Sequence, residues 1–132
     1  MKFKTGDTAR LTKVITQADV ETFAEISGDL NPVHLDEQFA AQSPFGKRIA
    51  HGMLVSGLIS SVLGMQLPGP GSIYLSQTLA FKKPVFFGDE ITAVVEVTNV
   101  REDKPIVTLE TKCINQDNEI VIEGTAVILL LE

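Results

Sequence analysis

The chain has 132 residues, 44% hydrophobic and 21% charged, and its 17 acidic against 11 basic side chains give a net charge of −6. This is the composition of a folded protein of one domain, residues 1–132, with apolar surface enough for a core that needs no disulfide or metal. The acidic excess argues against nucleic acid, whose phosphates it would repel, and a single cysteine, Cys113, excludes an intramolecular disulfide.

The opening residues, MKFKTGDTARLT, lack the apolar run of a signal peptide, and no stretch is long enough to span a membrane. A cytoplasmic protein is expected. Residues 8–15 read as a strand, with Ala9 and Leu11 alternating against polar neighbours. Thr16 and Asp19 have capping-box spacing, so a helix starts there. Val20, Phe23, Ala24 and Ser27 recur at helical spacing as a buried stripe, and Gly28 suits the position just past the helix end.

That helix delivers the chain to Asp29-Leu-Asn31-Pro32-Val-His34. A separation of five does not stack two side chains on one helical face, as three or four would. Pro32 moves Asn31 out of the helical region and lacks a backbone donor, so this segment is expected to be a loop. A loop can bring Asp29 and His34 to one point. A carboxylate and an imidazole are the usual pair for moving protons at neutral pH, although an Asp-x-Asn-Pro turn with a surface histidine is also ordinary loop chemistry.

Asp36 can cap a short helix reaching Gln42, and SPFGKR is loop again. The long helix is expected over residues 52–66, where Leu54, Val55, Leu58, Ile59, Val62 and Leu63 form one broad apolar face. A second stripe, Gly57, Ser60 or Ser61, and Gly64, is small. The helix is apolar nearly all round, so other elements should wrap it. PGPG at 68–71 ends it. From Ser72 the period becomes two: Ile73, Leu75, Leu79 and Phe81, then Ala93, Val95 and Val97, then Val107, Leu109, Thr111 and Cys113. KKPVFFGDE is a kinked connection, and residues 120–131, apolar on both faces, suit a central strand. The pattern predicts an α+β protein in which a curved antiparallel sheet wraps one long helix.

Other chemistries fit poorly. Two histidines and one cysteine lack the spacing of a zinc site, so no metal is expected. Ser56, Ser60 and Ser61 are not set in G-x-S-x-G. GPGSIY follows a helix and enters a strand, so it is not a dinucleotide fingerprint. His51 reads as a structural residue bonding to nearby backbone. Lys47, Arg48, Lys82 and Lys83 are candidates for an anionic ligand group.

Asp29-Leu-Asn31-Pro32-Val-His34, then His51-Gly52-Met53, then the stretch from PGPGSIYL to FKKPVFFGD resemble the (R)-specific enoyl-CoA hydratases of the MaoC-like, hot-dog-fold group. The resemblance covers almost the whole chain. It implies a single hot-dog domain and a homodimer that adds water to a trans-2-enoyl-CoA thioester to give the (R)-3-hydroxyacyl product, with no cofactor. By the same resemblance Asp29 is the general base, and His34 holds the same water and helps return a proton to the α-carbon. Gly52 offers a backbone N–H to the thioester oxygen, Asn31 shapes the loop, Ser60 gives a polar contact and Leu63 lines the acyl pocket. A helix N-terminus suits the enolate charge that forms on that oxygen. The alternatives are a hot-dog thioesterase, and a non-catalytic module that binds acyl thioesters.

Overall fold

The computed structural model describes residues 2–131. In chain order its elements are β1 (Thr8–Val14), α1 (Gln17–Ser27), α2 (Pro32–Leu35), α3 (Glu37–Ala41), α4 (Gly52–Met65), β2 (Ser72–Gln77), β3 (Ala80–Phe81), β4 (Glu90–Val100), β5 (Ile106–Ile114) and β6 (Ile120–Leu130). The strands form one antiparallel sheet in the order β1-β4-β5-β6-β2, with β3 also paired to β6. The sheet is curved and open, and α4 packs against β1, β2, β4 and β5. This is the α+β arrangement expected, a sheet wrapped on one long helix.

Register explains why the helix sits where it does. Ala93, Cys113 and Ile122 lie side by side across β4, β5 and β6, as do Val97, Leu109 and Ala126. All six are buried, and they meet Val55, Ile59, Val62 and Leu63 from α4. Fully burying one aliphatic side chain is worth about 1.5–3 kcal/mol, so these rows dominate what holds helix to sheet. A weak bond from the Cys113 thiol to the Val55 carbonyl, at 3.9 Å, marks the closeness of the two layers.

Helix α1 begins at the expected capping box: the Thr16 hydroxyl accepts from Asp19 N, and the Asp19 carboxylate accepts from Thr16 N. It ends at Gly28, whose φ of 78° turns the chain out of the helix. Ser27 departs from the predicted stripe. It is exposed, and its hydroxyl accepts from Asp29 N at 3.1 Å.

Two further expectations are corrected. The segment after Asp29 is not loop throughout, because Pro32 opens the one-turn helix α2, with Asn31 accepting from Val33 N as its cap. Proline's fixed φ suits a first helical position, where its missing donor costs nothing. The alternation from Ile73 to Phe81 is not one strand either. It is broken by a register shift between Tyr74 and Ser76 and then by a crossing at Thr78, so Ile73, Leu75 and Phe81 remain exposed.

Candidate active site

Asp29, His34 and His51 meet at one place, although two elements separate the first from the last in sequence. A carboxylate oxygen of Asp29 and one ring nitrogen from each histidine lie within 4.8 Å of one another. A chain of side-chain and backbone bonds sets the Asp29 end. Asp29 Oδ1 accepts from Asn31 N at 3.2 Å, and Asn31 Oδ1 accepts from Val33 N at 3.3 Å. Each short polar side chain caps the backbone two residues on, which carries the chain from α1 into α2.

His34 sits on α2 and is buried. Its Nδ1 is 2.8 Å from the Ile49 carbonyl, which only accepts, so the ring hydrogen is on Nδ1 and Nε2 is left as an acceptor. Burial pushes its pKa below the ordinary histidine value, and the His51 ring adds to that. The Ile49 bond and the charge of Asp29 act the other way.

His51 lies immediately before α4, is 2% exposed, and donates from Nε2 to the Asp29 carbonyl at 3.0 Å. That is the backbone bond expected of it. Its ring stacks on His34 with centroids 3.9 Å apart and is backed by Phe23 of α1 at 4.8 Å. With the ring turned toward Asp29, it makes no hydrogen bond to the first turn of α4. The first N–H groups of that helix, beginning at Gly52, are therefore not capped by the preceding side chain.

A cavity of about 440 Å³ runs from His34 to this uncapped turn. Its wall includes Gly52 and is otherwise largely apolar, with Phe45, Met53, Phe81 and Ile122 among the lining residues. Phe81 lies so close to Gly52 that a Cβ there would stand 2.6 Å from two atoms of its ring. Spacing did not single out Phe45, Met53 or Phe81. Phe45 precedes the H-G-M motif, Met53 is its last residue, and Phe81 read as one more strand position.

The remaining predicted residues are elsewhere. Asn31 caps α2, and Asp29 is exposed beside His34 rather than part of the cavity wall. Leu63 is 1% exposed inside the helix–sheet core, and Ser60 is on the exposed side of α4. Of the cation candidates, Lys82 pairs with Glu123 at 3.5 Å, Lys83 pairs with Glu119, and Lys47 stands 4.4 Å over the Phe86 ring. The Arg48 side chain is only 9% exposed.

Asp29, His34 and His51 carry ligand atoms a metal could use, and each histidine has its other ring nitrogen on a backbone carbonyl. Two hydrogen bonds of about 2.8 Å through one water span about 4.5 Å, a length that fits within the 4.8 Å limit on these ligand atoms.

The profile described as MaoC like domain matches residues 2–118. The chain belongs to the MaoC-like family. Among its MaoC-like relatives, an (R)-specific enoyl-CoA hydratase from Aeromonas caviae is 54% identical over 95% of this chain and 93% of its own length. An enzyme of the same description from Rhodospirillum rubrum is 47% identical over 96% of this chain and 88% of its own. The structure of an (R)-hydratase from A. caviae, described as involved in PHA biosynthesis, superposes with a TM-score of 0.95. It is 52% identical, and 98% of each chain is covered. Its similarity establishes the hot-dog fold for this MaoC-like chain.

Proposed function

We propose that this protein is an (R)-specific enoyl-CoA hydratase in which Asp29 and His34 activate the added water. The observation that carries the reading is a carboxylate oxygen and an imidazole nitrogen held within 4.8 Å of each other, beside a cavity that ends on a helix N-terminus left uncapped by the preceding side chain. The enoyl thioester enters that cavity with its carbonyl oxygen at the Gly52 N–H. Asp29 takes a proton from water as the oxygen bonds to the β-carbon, and the electron pair of the double bond moves onto the thioester oxygen as an enolate. His34 Nε2 accepts the water's other O–H, and the abstracted proton is passed to the α-carbon by the same pair of side chains. One H and one OH have then been added, and no redox step is involved. One backbone donor at such an oxygen is typically worth about 3 kcal/mol, and a positioned base about 10²–10⁴-fold in rate.

The identities of 54% and 47% to two (R)-specific hydratases support the stereochemical outcome. The product suits the use named for the A. caviae protein, and no described helix is long and apolar enough to cross a membrane. The working unit is a homodimer. Its interface is the exposed side of α4 with the free edge of β2, where Met53, Met65, Ile73 and Leu75 stand in solvent in the single chain.

Crotonyl-CoA tests the reaction class. Hydration removes the enoyl absorbance and releases no thiol. Thiol release would replace the reading with a thioesterase, and no change in either signal would leave only a binding module.

A further inference from the structure

We propose that Arg48 is a positioning residue for His34, fixing both the direction of its ring and the nitrogen that carries the hydrogen. The inference rests on the reading of His34 given above.

Helix α2 is a single turn, too short to hold itself, and the His34 carbonyl lies at its C-terminal end, where helical carbonyls lack partners of their own. Arg48 Nε donates to that carbonyl at 2.7 Å. The next residue makes the other two bonds: Ile49 N donates to the Val33 carbonyl at 3.3 Å, and the Ile49 carbonyl accepts from His34 Nδ1 at 2.8 Å. Residues 48 and 49 thus grip residues 33 and 34 at three points, two on the backbone and one on the ring. The gripping segment is itself anchored from behind, since Ile49 bridges to Phe86 and Ala50 N donates to the Val85 carbonyl at 2.8 Å.

The guanidinium is held on its other sides as well. It lies 4.9 Å over the Phe87 ring, and its Nη2 is 3.9 Å from a Glu21 carboxylate oxygen on α1. A planar, forked donor can meet a carbonyl, a ring face and a carboxylate together. Lysine has no N–H at the Nε position and cannot. Without the bond to its carbonyl, α2 is held by the two Ile49 bonds alone, one of them the long 3.3 Å bond to Val33, and its rotation about its own axis is less restrained. His34 then swings away from the Ile49 carbonyl and from Asp29. Displacements near 1 Å cost about a hundredfold in rate at a reacting centre.

The test compares the full-length Arg48→Ala and Arg48→Lys proteins with wild type on crotonyl-CoA and by ¹⁵N NMR of the His34 ring. Expected for both is a fall in kcat of about 10–100-fold with KM within about threefold. The ¹⁵N pattern should move from hydrogen on Nδ1 toward a mixture of tautomers. Added guanidinium should restore part of kcat to Arg48→Ala, and ammonium should not. Either kcat within twofold of wild type or an unchanged His34 ¹⁵N pattern overturns the proposal. Should Arg48→Ala fail to fold, Arg48→Lys carries the same test, because it keeps a long stem over Phe87 and a charge near Glu21. A His34→Ala protein run alongside separates the two readings. If it stays active, the catalytic assignment of His34 fails while the ¹⁵N result on Arg48 still stands or falls by itself.

Discussion

His34 has its ring hydrogen on Nδ1 because only a hydrogen there can serve the Ile49 carbonyl, and Nε2 is thereby kept as an acceptor. Burial lowers its pKa from the ordinary 6.5. An unfolded chain would take up the proton more readily than the folded one, so stability rises with pH across that interval. The contribution is present above the unfolded value and is lost as pH falls through the folded one. The acid limb of kcat/KM that belongs to His34 should accordingly have its midpoint below 6.5, matching an NMR titration of the same ring; a midpoint at or above 6.5 would contradict the burial argument. At this scale the residue types were legible in the sequence, and their partners were not. Nothing in the spacing of Asp29 and His34 pointed to the Ile49 carbonyl, since that bond depends on where α2 and residues 48–50 come to lie. Arg48 illustrates the converse. It read as a surface cation for an anionic ligand, yet its guanidinium is spent inside the protein on His34, Glu21 and Phe87.

Among the elements, β4 and β5 announced themselves by alternation because each buries one face on α4, which is the condition under which period two is strict, while β6 read as a central strand because it is apolar on both faces. The capping box of α1 and the cap of α3 at Asp36 were equally legible, being local chemistry. The break between β2 and β3 was not. It arises where residues 77–78 cross over Gly124 of β6, so close that a Cβ at 124 would stand 1.7 Å from the Thr78 carbonyl oxygen. Thr78 N donates to the Thr125 carbonyl there, and Thr125 N donates to the Thr78 hydroxyl, both at 2.9 Å. A glycine inside a strand was the one signal available. Gly124→Ala should cost about 1–3 kcal/mol in chemical denaturation, as overpacking against rigid backbone does. A loss under about 0.5 kcal/mol would mean that the crossing is looser than described.

At the level of the whole molecule, the proposed homodimer rests on α4. Its Val55, Leu58, Ile59, Val62 and Leu63 are covered by the sheet, while Met53 and Met65 are 59% and 71% exposed. The sequence showed a helix apolar nearly all round, and hence a wrapped one, but one sheet wraps only one side of it. The remaining side and the β2 edge are assigned to a second copy. Sizing chromatography at assay concentration should return twice the chain's 14.3 kDa; a monomer that is fully active would remove the dimer from the account. On the proposed mechanism, fold, helix terminus and cavity together hold a single water against an enoyl group while Asp29 removes its proton. The Asp29→Asn protein tests that most directly, because it keeps the size and the Asn31 N–H acceptor of the native side chain and loses only the base. Its turnover of crotonyl-CoA is predicted to fall at least about a hundredfold with the fold unchanged, and turnover near that of the native protein would contradict the account.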